Sequence, residues 1–263
     1  MRRLAVRPRH AGQRWPPMST AQDEGAVLAR LLADTGPSGV LERYGDDPDQ
    51  VYEVYGPERG PLLVVVHGGY FRPSIDRAHA RPQARALADA GYRVVLAEYR
   101  RVPGDPVVSI TDLEALEDHL GELGTWVGHS AGGTLVLLRG ATPDRPRVPV
   151  LALAPVADLV AAAREHLGDG AVVDWVGGTP EQQVQAYATV DPRQRWSAPF
   201  ADAPDAPRVL LAHGDADATV PLHLSTDFPA ESVTLAGAHH FDVVDPQSPY
   251  WPRVLELVRE VSN

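Results

Sequence analysis

The sequence contains neither cysteine nor lysine, and it has no long apolar run. Without cysteine the chain can form no disulfide, thiolate nucleophile, zinc-cysteine site or CxxC redox motif. A transmembrane helix needs about 18 consecutive apolar residues, so we expect no membrane partner. All 24 basic residues are arginine, and 35 acidic residues outnumber them. Because nucleic-acid binding depends on clustered cations, this balance argues against a nucleic-acid partner.

The length of 263 residues, with 44% hydrophobic and 22% charged residues, is typical of a globular chain. Residues 1–17 differ, because they hold five arginines and no acidic residue. This composition predicts a disordered tail, with Met18 as a plausible start, followed by one domain over residues 18–263. Arg2 and Arg3 resemble a twin-arginine signal, but the apolar stretch behind them is too short for export. We therefore expect a cytoplasmic protein.

Short apolar runs alternate with helical patterns from residue 51 onward, which predicts an α/β fold with a mostly parallel central sheet flanked by helices. The expected strands are Val51–Tyr55, Leu62–Val66, Tyr92–Ala97, Trp126–Val127, Val148–Leu153, Val209–Ala212 and Val233–Leu235. The expected helices are Arg81–Ala90, Ser109–Leu120, Ala131–Arg139 and Pro249–Val261, with two more near Val156–His166 and Glu181–Tyr187.

The stretch of residues 155–207 interrupts this alternation between two late core strands. An insertion of this length favours a small cap or lid over a site rather than a linker. Its aromatic residues could either line a substrate pocket or close a small core, and they are Trp175, Tyr187, Trp196 and Phe200.

A G-x-S-x-G pentapeptide, Gly128 to Gly132, lies between a predicted strand and a predicted helix. In this context the serine of such a motif occupies a sharp strand-to-helix turn that exposes its hydroxyl at the rim of the sheet. The next backbone N–H, that of Ala131, lies at the positive end of the helix, where it can stabilise an oxyanion. Ser130 is therefore the candidate nucleophile.

A serine hydroxyl needs a base, and the base needs an acidic partner. His239 and His240 follow the last predicted strand and are both candidates for the base. Asp215 and Asp217 follow the strand before it and are both candidates for the acid. Because the carboxyl ends of parallel strands form one rim, these residues are expected near Ser130.

A second loop at the same rim, His67-Gly68-Gly69-Tyr70, directly follows the buried strand Leu62–Val66. Two glycines there let the backbone turn and offer N–H groups to a developing negative charge. Gly69 and Tyr70 are therefore candidates for further oxyanion donors. Glycines at this position could equally form an ordinary turn between strand and helix.

Together these motifs resemble the α/β-hydrolase family over about residues 50–262, and within it the branch with an HGG oxyanion loop. That branch includes carboxylesterases, hormone-sensitive-lipase-like enzymes and kynurenine formamidases. The His67-to-Phe71 loop is similar to the formamidase HGGYW loop, with Phe71 in place of tryptophan. The lipase-like loop has a third glycine where this sequence has Tyr70. The Glu98-Tyr99-Arg100 triplet is similar to the family's Asp-Tyr-Arg.

The resemblance also selects among the open candidates. Asp217 matches the acid of the family pattern HGxxDxxVP, which residues 213–221 fit, whereas Asp215 falls on a variable position. His240 matches the family's His-Phe pair. The resemblance thus implies a catalytic triad of Ser130, Asp217 and His240, with Gly69, Tyr70 and Ala131 as oxyanion donors and no cofactor.

The expected activity is therefore serine hydrolysis of a small soluble ester, formamide or aryl amide through an acyl-enzyme. Two alternatives stay open. His213, Asp215, Asp217, the His239-His240 pair and Asp242 could instead form the metal site of a metal-dependent hydrolase. The chain could also be a non-catalytic ligand-binding protein with the same fold. Neither the oligomeric state nor the choice between ester and amide can be read from the sequence.

Overall fold

A computed structural model describes residues 21–196 and 208–263. Its eight strands form one sheet in the order β1-β2-β4-β3-β5-β6-β7-β8. The strands are β1 Val40–Arg43, β2 Val51–Tyr55, β3 Leu62–Val66, β4 Arg93–Ala97, β5 Thr125–His129, β6 Val150–Leu153, β7 Val209–Gly214 and β8 Glu231–Leu235. β1 and β2 pair antiparallel to their neighbours, and the remaining pairs are parallel. The expected mostly parallel sheet is confirmed.

Helices flank this sheet, together with a 3₁₀ turn at Arg77–Ala80. The described helices are α1 Ala21–Leu32, α2 Arg81–Asp89, α3 Val107–Leu120, α4 Ala131–Gly140, α5 Leu159–Arg164, α6 Leu167–Val176, α7 Val184–Val190, α8 Pro192–Arg195, α9 His223–Thr226 and α10 Trp251–Ser262. Within the described residues, no helix is both long and apolar enough to cross a bilayer.

The central strands are buried on both faces, which explains their continuous apolar sequences. In β3, Val64 and Val66 belong to one hydrophobic core, whereas Leu63 and Val65 belong to the other. This alternation follows from the period of two residues in a strand. The sheet is thus held between two apolar layers, and its rim carries the loops that hold the candidate site.

The insertion between β6 and β7 forms α5 to α8 within residues 155–196. The rest of the expected cap, including Phe200, lies outside the described residues, as does the expected tail of residues 1–17. Trp175 and Tyr187 are buried in the core on that side of the sheet. The Trp196 indole N–H donates to the Pro229 carbonyl at 3.1 Å. These three aromatic residues close a small core and do not line the cavities at Ser130 described below.

Candidate active site

Ser130 lies between the end of β5 and the first residue of α4, as its motif predicts. Its φ of 54° and ψ of −119° are costly for a residue with a side chain. The surrounding backbone holds this conformation, because the Ser130 N–H donates to the Leu153 carbonyl at 2.9 Å. A Cβ at Gly132 would collide with the Val66 carbonyl oxygen, so the turn requires glycine there. The first N–H groups of α4, including that of Ala131, have no acceptor within the helix.

The loop after β3 runs past Ser130. Gly69 has a φ of 133°, and both Tyr70 and Phe71 lie in the left-handed region with φ near 55°. The insertion between β6 and β7 contacts this strained loop at two points. The Phe71 ring stacks on that of Trp175 with centroids 4.1 Å apart, and the Arg72 guanidinium donates to the Gly168 carbonyl at 2.7 Å.

A buried ionic network around Glu98 contacts the start of the same loop at His67. The His67 Nε2 lies 3.1 Å from Glu98 Oε1, and Glu98 also pairs with Arg101 and Arg77. Burial favours a raised pKa of Glu98, but the nearby charges and hydrogen bonds of His67 and Arg101 outweigh it and hold the pKa well below its usual range. The Tyr99 hydroxyl donates to the His67 carbonyl at 2.9 Å. His67 therefore braces the loop.

The candidate base and acid meet at the end of β7. His240 Nδ1 lies 2.7 Å from Asp217 Oδ2, and both side chains are buried. Burial favours a raised pKa of Asp217, but the charge of His240 and hydrogen bonds from His213 and His240 hold the pKa well below its usual range. Because the ionised carboxylate only accepts, His240 Nδ1 carries the proton of this contact.

Asp217 is held by further donors. The N–H groups of Thr219 and Val220 donate to Oδ1 at 2.9 and 2.7 Å. The His213 Nε2 lies 3.0 Å from both Asp217 Oδ2 and the Val220 carbonyl, so this nitrogen is the donor. The His213 Nδ1 lies 2.7 Å from the Ser225 hydroxyl oxygen. These bonds fix the carboxylate that faces His240.

His129 packs against the candidate base. Burial, with the charge of His240 as a second cause, lowers the pKa of His129 well below its usual value, so its ring is neutral. Its Nε2 donates to the His240 carbonyl at 2.9 Å, and the two rings lie 4.6 Å apart. His129 thus supports the backbone of His240.

The two other candidates make different contacts. The exposed Asp215 accepts the Gly237 N–H at 2.6 Å on Oδ1. His239 Nε2 lies 3.5 Å from Asp242, and its Nδ1 accepts the Phe241 N–H at 3.1 Å. The structure therefore brings Asp217 and His240 together and directs Asp215 and His239 to neighbouring loops. Across residues 21–196 and 208–263, no group of three or more potential ligand side chains is arranged to bind a metal.

Ser130 lines two small cavities, each with a volume of about 20 Å³. One is lined by His240 and contains the candidate donors Gly69 and Tyr70. The other is apolar and contains Tyr70 and Ala131 together with side chains of α6. All six candidate residues thus line one of these cavities or, for Asp217, bond to a residue that does.

Sequence reasoning missed Glu24, a buried residue of α1. Its carboxylate accepts hydrogen bonds from the N–H groups of Ala218 and His240, at 2.8 and 3.1 Å. The capping pattern around α1 gives no signal for this contact, because the partners lie 194 and 216 residues further along the chain.

Neither a protein-family model nor a curated protein matches the sequence. Solved structures do match it. Esterase B of Lactobacillus rhamnosis, solved with a tributyrin phosphonate inhibitor, is similar with a TM-score of 0.68 and 23% identity, over 92% of this chain and 91% of that one. A putative thioesterase from Silicibacter sp. is similar with a TM-score of 0.67 and 20% identity, over 94% of this chain and 95% of that one.

Est1E from Butyrivibrio proteoclasticus is similar with a TM-score of 0.59 and 21% identity, over 84% of this chain and 96% of that one. These similarities extend over 84–94% of this chain and over 91–96% of the other chains. The mostly parallel sheet with flanking helices and the strand-turn-helix at Ser130 are the features of this chain that belong to such a fold. The chain has the α/β-hydrolase fold.

Proposed function

We propose that the protein is a serine hydrolase that cleaves a small soluble ester, formamide or aryl amide through an acyl-enzyme. The observation that carries the proposal is the 2.7 Å contact between His240 and Asp217, in a site where His240 and Ser130 line one cavity. The names of the structural neighbours, which are esterases and a putative thioesterase, support ester hydrolysis in general.

In the first step, His240 Nε2 accepts the Ser130 hydroxyl proton while Oγ attacks the substrate carbonyl carbon. The carbonyl π pair moves to oxygen, and the N–H groups of Ala131, Gly69 and Tyr70 stabilise the resulting oxyanion. The bond to the leaving group then breaks, and the leaving group takes the proton from His240. Asp217 holds the ring tautomer and stabilises the imidazolium throughout.

In the second step, water replaces the leaving group. His240 accepts a proton from this water, and the hydroxide attacks the acyl carbon. The bond to Ser130 Oγ breaks, and His240 returns the proton to this oxygen. The products are a carboxylic acid and the alcohol, amine or arylamine released earlier.

The two cavities divide the substrate between them. Because His240 must protonate the leaving group, the leaving group occupies the cavity lined by His240. The acyl group then occupies the apolar cavity beside Ala131, where Leu167, Ala171 and Val172 of α6 form one wall. A volume of about 20 Å³ is enough for about one water molecule. The close walls of this cavity support the proposal of a short acyl group, such as formyl or acetyl, over a long one.

Covalent labelling tests the nucleophile. A fluorophosphonate should label the wild-type protein on Ser130, and Ser130→Ala should not be labelled while keeping its circular dichroism spectrum. His240→Gln should slow labelling strongly, whereas the matched control His239→Gln should not. Labelling retained in Ser130→Ala would overturn the proposal, as would activity that EDTA abolishes and a bound metal restores.

A substrate comparison tests the formamidase-like branch that the HGG-Tyr-Phe loop suggests. One preparation should be assayed for kcat/KM on p-nitrophenyl acetate, on esters with longer acyl chains and on N-formyl arylamines. A strong preference for the formamide would support a formamidase-like enzyme, and a strong preference for the acetate a carboxylesterase. Preference for long acyl chains would contradict the assignment of the acyl cavity.

A further inference from the structure

Glu24 lies in α1, which packs against the loops that follow β7 and β8. Glu24 is buried, with only 1% of its surface exposed. Oε1 accepts the N–H of Ala218 at 2.8 Å and the N–H of His240 at 3.1 Å. Oε2 accepts the Thr219 hydroxyl at 2.6 Å. Both oxygens of this buried carboxylate are therefore used, as burial of a charge requires.

The three donors belong to the two loops that carry the candidate acid and base. Ala218 directly follows Asp217, and the Thr219 N–H itself donates to Asp217 Oδ1 at 2.9 Å. The third donor is the backbone of His240. A single carboxylate thus joins the backbones on either side of the 2.7 Å contact between Asp217 and His240.

We propose that Glu24 is a positioning residue, which holds the His240 and Asp217 loops in register for catalysis. The inference rests on the proposed hydrolase function and extends it to α1, a helix before the first strand. Glu24 bonds to backbone and hydroxyl groups of the loops, so it acts through His240 and Asp217. Misplacing reacting groups by about 1 Å can cost about 10²-fold in rate.

Three substitutions separate geometry from charge. Glu24→Gln keeps an amide oxygen for the two N–H groups, and its NH₂ can donate to a Thr219 hydroxyl that turns to accept. This variant should keep a kcat near that of the wild type. Glu24→Ala removes all three bonds and should lower kcat by about 10- to 100-fold with little change in KM. Glu24→Asp keeps the carboxylate but on a side chain that is one methylene shorter. Its kcat should lie between those of Glu24→Gln and Glu24→Ala.

Arg30→Met is the matched control in the same helix. Arg30 pairs with the buried Asp245, so its loss also weakens the docking of α1. The substitution leaves the bonds at Ala218, Thr219 and His240 in place. We expect a lower free energy of unfolding, with an unchanged kcat per fluorophosphonate-labelled site. An equal loss of kcat in Arg30→Met and Glu24→Ala would show a merely structural role and overturn the proposal.

A proton NMR signal reports the His240 and Asp217 pair independently of turnover. The Nδ1 proton of His240 should give a far-downfield resonance, which His240→Gln removes. Glu24→Gln and Arg30→Met should keep this resonance, whereas Glu24→Ala should shift or broaden it. If Glu24→Ala does not fold, Glu24→Asp decides, and a wild-type kcat and spectrum there would overturn the proposal. If wild-type Ser130 fails to label, the hydrolase function falls, and the NMR comparison still tests the positioning role.

Discussion

At the scale of single residues, the main electrostatic feature of the site is that Asp217 stays ionised while buried. Its oxygens face four donors, which are the N–H groups of Thr219 and Val220 and the rings of His213 and His240. The lowered pKa of Asp217 follows from these contacts, which favour the ionised carboxylate that faces His240. The candidate acid therefore differs from Asp215 in its surroundings as well as in its place in a motif.

Asp217→Asn tests this orientation. An amide that donates to His240 Nδ1 would favour the wrong ring tautomer, so we expect kcat to fall by about 10⁴-fold. Asp215→Asn is the matched control, because Asp215 is exposed and bonds to the Gly237 N–H instead. Comparable losses in the two variants, measured as kcat on one ester, would contradict the assignment of the acid.

His79 gives a prediction about stability and pH. Burial, with the charge of His67 as a second cause, lowers the pKa of His79 from 6.5 to about 4. Below pH 6.5 the unfolded chain takes up a proton on His79 that the folded protein does not bind until the pH reaches about 4. The free energy of unfolding therefore has its full His79 contribution above pH 6.5 and loses it as the pH falls to about 4. The loss amounts to about 3 kcal/mol.

His79→Asn should remove this dependence, because the Asn amide can donate to the Asp76 carbonyl as Nδ1 does at 3.0 Å. Denaturant unfolding at pH 7.5 and pH 4.5 measures the free energy of unfolding of both proteins. The advantage of the wild type over the variant should shrink at the lower pH. An advantage that stays constant would show that His79 does not titrate in this range.

At the scale of secondary structure elements, side chains of α6 form one wall of the proposed acyl cavity, so a smaller side chain there should admit a longer acyl group. Val172 is buried and lines this cavity, whereas Val184 in α7 is 67% exposed. Val172→Ala should raise the ratio of kcat/KM for butyrate over acetate esters by about 10-fold. Val184→Ala makes the same chemical change on the surface and should leave the ratio unchanged. No change in Val172→Ala would place the acyl group elsewhere.

The elements that the sequence predicted correctly are those whose burial produces a clear pattern. β2 and β3 have the predicted bounds, because their strongly apolar sequences end at turn residues. β1 was not predicted, since its four residues are all exposed and carry no apolar pattern. α6 was also not predicted, because Gly168, Asp169 and Gly170 have positive φ within it and interrupt the helical period.

The candidate site follows the same division. Ser130, Asp217 and His240 each lie in a local motif after a strand, so the sequence could place them at one rim of a parallel sheet. The structure joins Asp217 to His240 and places His240 and Ser130 on one cavity. The contacts of Glu24 and of the Glu98 network join segments far apart in the chain and leave no local pattern. The stacking of Phe71 on Trp175 likewise depends on how the insertion folds over the loop.

At the scale of the whole molecule, α1 precedes the sheet but contacts the loops of the candidate site through Glu24. Deleting residues 1–17, which the sequence predicts to be a disordered tail, should leave labelling and the free energy of unfolding unchanged. A deletion that extends through Leu32 removes α1 and should abolish labelling at Ser130. Fluorophosphonate labelling and denaturant unfolding of both truncated proteins measure these effects. Full labelling without α1 would show that the site is complete without it.

The bond between Glu24 and the backbone of His240 spans 216 positions of the chain. During synthesis, Glu24 therefore leaves the ribosome long before its last partner has been made. The contacts that His240 makes with Glu24 and Asp217 cannot form until the segment after β8 has been made. Labelling of Ser130 by a fluorophosphonate should thus begin only after residue 240 has left the ribosome.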